Sequence, residues 1–287
     1  MIEEKKNWLR RHWILAGLMI FIILVMIIGI FNSNSTSETL VIRYDEVANA
    51  SPVYQKQMSE IEHKYNIDLE YKNPPNSSYH GSNFVLLSES DESKLAKYVS
   101  LFYREFNRYP QDFIKNVDLR KVAFVKNLSV GGQYRAAEAD STNEVLFYDV
   151  HIGSYNETYQ KGVIHHEFYH MIEEEINGDP YYQDPVWASF NDPNFKYGSG
   201  GASAYDDSGY ENKVLEAGFI SVYSTYALEE DKAEIFANLM VPELAKEMYS
   251  KAVNDPILGK KVKYMKDFLS KNSEHMNEDF WQTVSLS

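Results

Sequence analysis

The sequence contains no cysteine, so it has neither disulfides nor thiolate metal ligands, and any bound metal must be held by His, Asp or Glu. Basic residues are scarce: 28 Lys and Arg stand against 42 Asp and Glu, for a formal net charge of −14, and no basic stripe occurs beyond the first dozen positions. A nucleic-acid footprint is therefore missing, and nucleic acid is not an expected partner. Internal repeats and low-complexity tracts are missing too. A content of 44% hydrophobic and 24% charged residues over 287 positions is that of a globular chain with one large domain or two small ones.

Long apolar runs are absent with one exception, WILAGLMIFIILVMIIGIF at 13–31, which carries no charge and no strongly polar side chain. As a helix rising about 1.5 Å per residue it is about 28 Å long, close to the hydrocarbon thickness of a bilayer. Lys5, Lys6, Arg10 and Arg11 outnumber Glu3 and Glu4 before it, so the positive-inside tendency keeps 1–12 in the cytoplasm and exports the rest. A cleaved signal peptide is the alternative. Against it, the run exceeds a usual signal core, and the NSNSTSET that follows offers no small-x-small cleavage site. The expectation is a single-pass anchor at the cell membrane over 13–31, a small polar stalk over 32–39, and a strongly acidic extracellular domain over 40–287.

Within that domain, TLVIRYDEV predicts a strand, VYQKQMSEIEHKYN (53–66) an amphipathic helix, and IDLEYKN a second strand. FVLLSES follows. Asp91 stands as a candidate N-cap before a helix with apolar residues at 95, 98, 99, 102 and 106. KVAFVKNLSV and NEVLFYDV, on either side of a Gly-Gly turn region, predict two more strands, and the second is a candidate edge strand or an interior one. From about Glu229 onward the pattern is helical, broken at Pro242 and Pro256. The fold class expected is α+β.

Three of the eight histidines fall within six positions, in GVIHHEFYHMIEEE at 162–175. On a helix, His166 and His170 share one face a turn apart and can hold one divalent metal, while Glu167 stands where a carboxylate takes a proton from a water. The string is H-E-x-x-H. Ile164, Phe168, Met171 and Ile172 form a separate stripe suited to a core, so the motif residues lie off the buried face. They would line a cleft, or else be ordinary surface side chains on a buried helix. A further ligand has to come from downstream. His275, in a polar stretch near the C-terminus, is a poor source. In GFISVYSTYALEEDKAEIFANLM, Glu230 and Glu234 stand four apart; one carboxylate can meet the metal while the other accepts from the second ring nitrogen of a ligand histidine. A solvated acidic helix start explains the same residues. Between the motifs runs a long Gly-, Ser-, Asp- and Tyr-rich segment, 176–213, a candidate specificity loop over the cleft. Asp206 and Asp207 within it are too weak a cue for calcium.

HHEFYH followed by YSTYALEEDKAEIFA resembles the gluzincin metallopeptidases of the anthrax lethal factor and Pro-Pro endopeptidase group, together with related bacterial zinc peptidases. In that group a tyrosine precedes the glutamate ligand by seven positions and a second carboxylate follows it by four, spacings matched by Tyr223, Glu230 and Glu234. The resemblance spans 163–240 and implies a zincin-like domain that binds one Zn2+ and hydrolyses peptides or proteins at the cell surface. By it, His166, His170 and Glu230 are metal ligands, Glu167 is the general base and acid, Tyr223 supports the oxyanion, and Glu234 orients a ligand. Tyr226 competes for the tyrosine role, and only the spacing decides against it. The alternative is a membrane-anchored binding protein of the same fold without turnover.

Overall fold

The structure is a computed structural model that describes residues 50–79, 81–151 and 156–286. The anchor expected over 13–31, the stalk over 32–39 and the strand in TLVIRYDEV lie outside the described residues. Among the described residues no helix is long and apolar enough to cross a membrane.

In chain order the helices are α1 (Ala50–Tyr65), α2 (Glu92–Phe106), α3 (Gln111–Lys115), α4 (Glu157–Asn177), α5 (Pro185–Ala188), α6 (Leu228–Met240), α7 (Pro242–Ala252), α8 (Pro256–Asn272) and α9 (Glu278–Leu286). The strands are β1 (Asp68–Glu70), β2 (Ser82–Val85), β3 (Lys121–Val130), β4 (Gln133–Tyr134), β5 (Ala137–Asp140) and β6 (Val145–Asp149). The sheet centres on β3. Its first half runs parallel to β1 on one side and to β6 on the other, and β5 closes the far edge antiparallel to β6.

Period-two alternation sends β3 side chains into two cores. Val122 and Phe124 join the large core with α1, α2 and α4, whereas Ala123, Val125 and Leu128 pack with Val145 and Phe147 on the other face. Burial on both faces explains why VAFV is a continuous apolar run. Asn127, at φ +54°, marks where the second half of β3 turns to pair with β2 and β4. Gly131 and Gly132, both left-handed at φ +57° and +80°, make the two-residue turn into β4.

Two expectations left open by the sequence are decided here. NEVLFYDV is an interior strand, paired on both sides; the edge is β5, whose AEAD composition is poor in strand formers and hides it. Asp91 does stand at the start of α2, but its carboxylate accepts from Ser88 N at 2.8 Å and Lys126 Nζ at 2.6 Å, not from the first turn of that helix. The apolar positions of α2, Leu95, Tyr98, Val99, Phe102 and Phe106, are all buried.

The 21-residue helix α4 begins where the Asn156 side chain accepts from Tyr159 N at 2.8 Å, and it ends on Gly178, left-handed at φ +74°. Ile164, Phe168, Met171 and Ile172 bury as one stripe, which packs α4 against the sheet side and α6. Pro242 and Pro256 each open a new helix from its first turn, where a missing N–H costs nothing.

Asp231 on α6 ties this helix to the segments around it. Lys261 of α8, the Trp187 indole and the Tyr197 hydroxyl all donate to its Oδ2 at 2.7 Å, and Asp231 and Lys261 are fully buried. Burial pushes the Asp231 carboxyl up and the Lys261 ammonium down, and their mutual attraction opposes both shifts. Lys261→Met, which strands the carboxylate, is expected to lower stability by about 3–5 kcal/mol, measured by urea denaturation. A double Asp231→Asn, Lys261→Met variant that is no more stable than the single one would contradict this account.

Candidate active site

Side chains from α4 and α6 meet at the floor of a cleft of about 1080 Å³. His166 Nε2 lies 3.0 Å from Glu230 Oε2 and 3.3 Å from His170 Nε2, and His170 Nε2 is 3.7 Å from Glu230 Oε2. Ligands about 2.0–2.1 Å from a tetrahedral zinc stand about 3.3 Å from one another. The three observed separations bracket that value, so these atoms fit one such ion without rearrangement. Among the described residues, these three form the group able to hold a metal ion.

Glu234 reaches the opposite side of the first ring, with Oε1 3.1 Å from His166 Nδ1, and its other oxygen accepts from Ser221 Oγ at 2.7 Å. That arrangement turns Nε2 toward the cleft. Burial alone would lower the His166 pKa, but its contacts with Glu230 and Glu234 hold it well above the ordinary value. For Glu230 burial would raise the pKa, and the two histidines instead hold it well below the carboxylate range. A bound cation would replace the proton that this cluster shares. Glu167, beside them in the cleft, is pushed up by burial and pulled back by the nearby His166 and His170.

The structure separates the two candidate tyrosines. Tyr223 sits in the 3-10 turn Tyr223–Thr225 ahead of α6, donates to Glu230 Oε1 at 2.9 Å, and has its ring tilted by 45° at 6.0 Å from the His166 ring. Tyr226 faces away, bonded to Asp207 and Lys213. His165 is fully buried on another face of α4, bonded to Tyr109 at 2.6 Å and facing Glu105 at 3.3 Å. It ties α4 to α2 and takes no part in the cleft. His275 pairs with Asp112 at the surface.

The 176–213 segment covers part of this cleft. Pro180, Tyr181, Gly201, Tyr205, Tyr210 and Glu211 line it. The segment is anchored through Trp187 and Tyr197 to Asp231, and through Gly198 N and Gly200 N to the carbonyls of Thr225 and Tyr226 at 3.1 and 3.0 Å. Gly201 lies directly on the cluster: a Cβ there would stand 1.9 Å from Glu230 Oε1 and 2.5 Å from the Tyr223 hydroxyl, so a larger residue would push these two side chains out of place. Sequence reasoning missed Gly201, though the run GSGGA carried a signal of close backbone approach. It also missed the cleft residues Arg135 and Glu138 and the edge strand that precedes α4.

A mixed sheet flanked by helices, with two histidines and a glutamate converging in a cleft, defines a metallopeptidase-like domain. The chain belongs to the family described as "Putative zinc-binding metallo-peptidase", whose model matches residues 54–284. Among solved structures it is similar in fold to a putative zinc-binding metallo-peptidase from Bacteroides caccae ATCC 43185, with a TM-score of 0.51 and 20% identity over 83% of this chain and 92% of that one. No curated protein matches the chain. The family supports the expected zinc and protease chemistry; neither comparison bears on the likeness to lethal factor or Pro-Pro endopeptidase.

Proposed function

We propose that this chain is a zinc-dependent endopeptidase of the gluzincin type, anchored by 13–31 with its catalytic domain on the outer side of the cell membrane. The observation that carries the peptidase reading is the convergence of His166, His170 and Glu230 with separations of 3.0–3.7 Å, beside a Glu167 that faces the same cleft. The uncharged 13–31 run and the basic residues before it support the anchoring.

In this reading His166, His170 and Glu230 hold the ion. When bound, zinc acts as a Lewis acid toward the peptide carbonyl and lowers the pKa of a coordinated water toward ~7. Glu167 takes the proton from the attacking water and later delivers it to the leaving amine. Tyr223, whose hydroxyl already faces the Glu230 side of the cluster, donates to the carbonyl oxygen as charge develops on it. Glu234 fixes the ring of His166 through Nδ1, and Ser221 fixes Glu234. The free edge of β5, where Ala137, Glu138 and Ala139 line the cleft, offers main-chain groups to an extended peptide.

The test is cleavage of a peptide library by the purified full-length chain, before and after a chelator and again after zinc is restored. Internal cleavage that stops with chelation and returns with zinc is expected. One bound zinc without any cleavage would sink the enzyme and leave a binding protein of the same fold. For the anchor, protease treatment of intact cells should digest the domain; a domain left intact would overturn the topology.

A further inference from the structure

Among the described residues the two fully buried lysines, Lys232 and Lys261, each have a carboxylate, and so do the partly buried Arg108 and Lys126. Arg108 meets Glu105 at 2.9 Å, Lys126 meets Asp91 at 2.6 Å, Lys232 meets Glu173 at 2.5 Å, and Lys261 meets Asp231 at 2.7 Å. A guanidinium or ammonium taken out of water without such a partner is costly, which accounts for the pairing. Arg135 departs from it. It lines the cleft, and among the described residues no acidic group forms an ion pair with it. Its Nη2 donates to Gln133 Oε1 at 2.6 Å, its guanidinium lies 3.7 Å over the Tyr205 ring, and its Nη1 is buried with no hydrogen-bond partner.

The backbone holds this group in place. The Gly131–Gly132 turn reverses the chain, Arg135 N donates to Leu128 O at 2.9 Å, and the edge strand β5 begins two residues later at Ala137. The guanidinium therefore stands at the end of the strand offered to an extended peptide. The surrounding wall is mostly acidic, with Glu138, Glu211, Glu229 and Glu247 lining the cleft, and the lysine that also lines it, Lys251, is paired with Glu247 at 2.9 Å. An anion on a bound chain is repelled along most of that wall and finds a matching donor at Arg135.

We propose that Arg135 is a specificity-determining residue whose guanidinium, supported by Gln133 and the face of Tyr205, receives a carboxylate of the bound peptide and so selects substrates that carry an anion next to the cleaved bond. This rests on the peptidase reading of the same cleft. Arginine suits the task because its planar donors hold a carboxylate in a defined direction while its face stays on the aromatic ring. The carboxylate is an Asp or Glu side chain or the C-terminus of the peptide, and the two sources share this chemistry.

The experiment uses the zinc-loaded full-length chain and a random heptapeptide library in four versions: with Asp and Glu or with Asn and Gln in their place, each with a free or an amidated C-terminus. Wild type should favour a carboxylate at one position near the cut by about 10- to 100-fold in kcat/KM, most of it in KM. In Arg135→Gln that ratio should fall to about one, and Arg135→Lys should keep part of it, since the charge remains. Preference in the side-chain arm identifies Asp or Glu, and preference in the C-terminal arm identifies the chain end. A parallel arm measures peptide binding by fluorescence anisotropy in the Glu167→Gln background, with and without Arg135→Gln, and reads the carboxylate preference independently of turnover. Absence of cleavage by wild type with a carboxylate preference in binding would overturn the peptidase and keep the Arg135 subsite. Equal binding and cleavage of acidic and neutral peptides, or a preference that survives Arg135→Gln, overturns the subsite.

Discussion

Glu167→Gln is expected to leave one equivalent of zinc and an unchanged melting curve while reducing peptide hydrolysis by about 10²- to 10⁴-fold. The substitution keeps the size and shape of a partly buried side chain and removes only its ability to accept and release a proton. None of the three atoms at 3.0–3.7 Å belongs to Glu167, so metal content should not change. Burial pushes its carboxyl up from the ordinary range, which makes it a better proton carrier near neutral pH than an exposed glutamate would be. Zinc analysis, thermal unfolding and single-turnover cleavage on one preparation check all three parts. Hydrolysis near the wild-type rate would mean that another group moves the proton, and Glu234, the carboxylate beside His166 Nδ1, would have to be released from that ring to do it.

What could be read in advance follows from how local each signal is. His166 and His170 were legible because their pairing depends on one helical turn within one element, and α4 also carries its own buried stripe. His165 shows the limit of that reasoning. It is adjacent in sequence, but about 100° further round the helix it is buried against Tyr109 and Glu105. β3 was legible because its β-branched and aromatic residues fill both faces of an interior strand. β5 was not, since Glu138 and Asp140 owe their burial to Ser77, Ser78 and Ser82, partners more than fifty positions away. Gly201 and the Asp231–Lys261 pair are illegible for the same reason: each exists only because distant segments were brought into contact. Choosing between Glu230 and Glu234 needed a resemblance, because one helical face offers both.

That choice yields the second large effect. Glu230→Ala removes one of three converging ligand atoms and should cost most of the zinc affinity together with activity. Glu234→Ala leaves all three in place and removes the group at 3.1 Å from His166 Nδ1, so the ring loses its orientation and affinity or activity should fall by only ~10- to 100-fold. With zinc in excess, this variant should refill its site. Tyr223→Phe separates binding from chemistry: its hydroxyl touches Glu230 but supplies no metal-binding atom to the cluster, so zinc content should hold while the chemical step slows by ~10²- to 10³-fold. Equilibrium dialysis with zinc, paired with single-turnover rates, distinguishes the three variants by metal content and rate. The geometry makes the order strict, because Glu230 Oε2 faces both histidine Nε2 atoms whereas Glu234 meets only the far side of one ring. A Glu234→Ala protein that cannot hold zinc, alongside a Glu230→Ala protein that keeps a full equivalent, would exchange the two roles and move the metal to the Nδ1 side of His166.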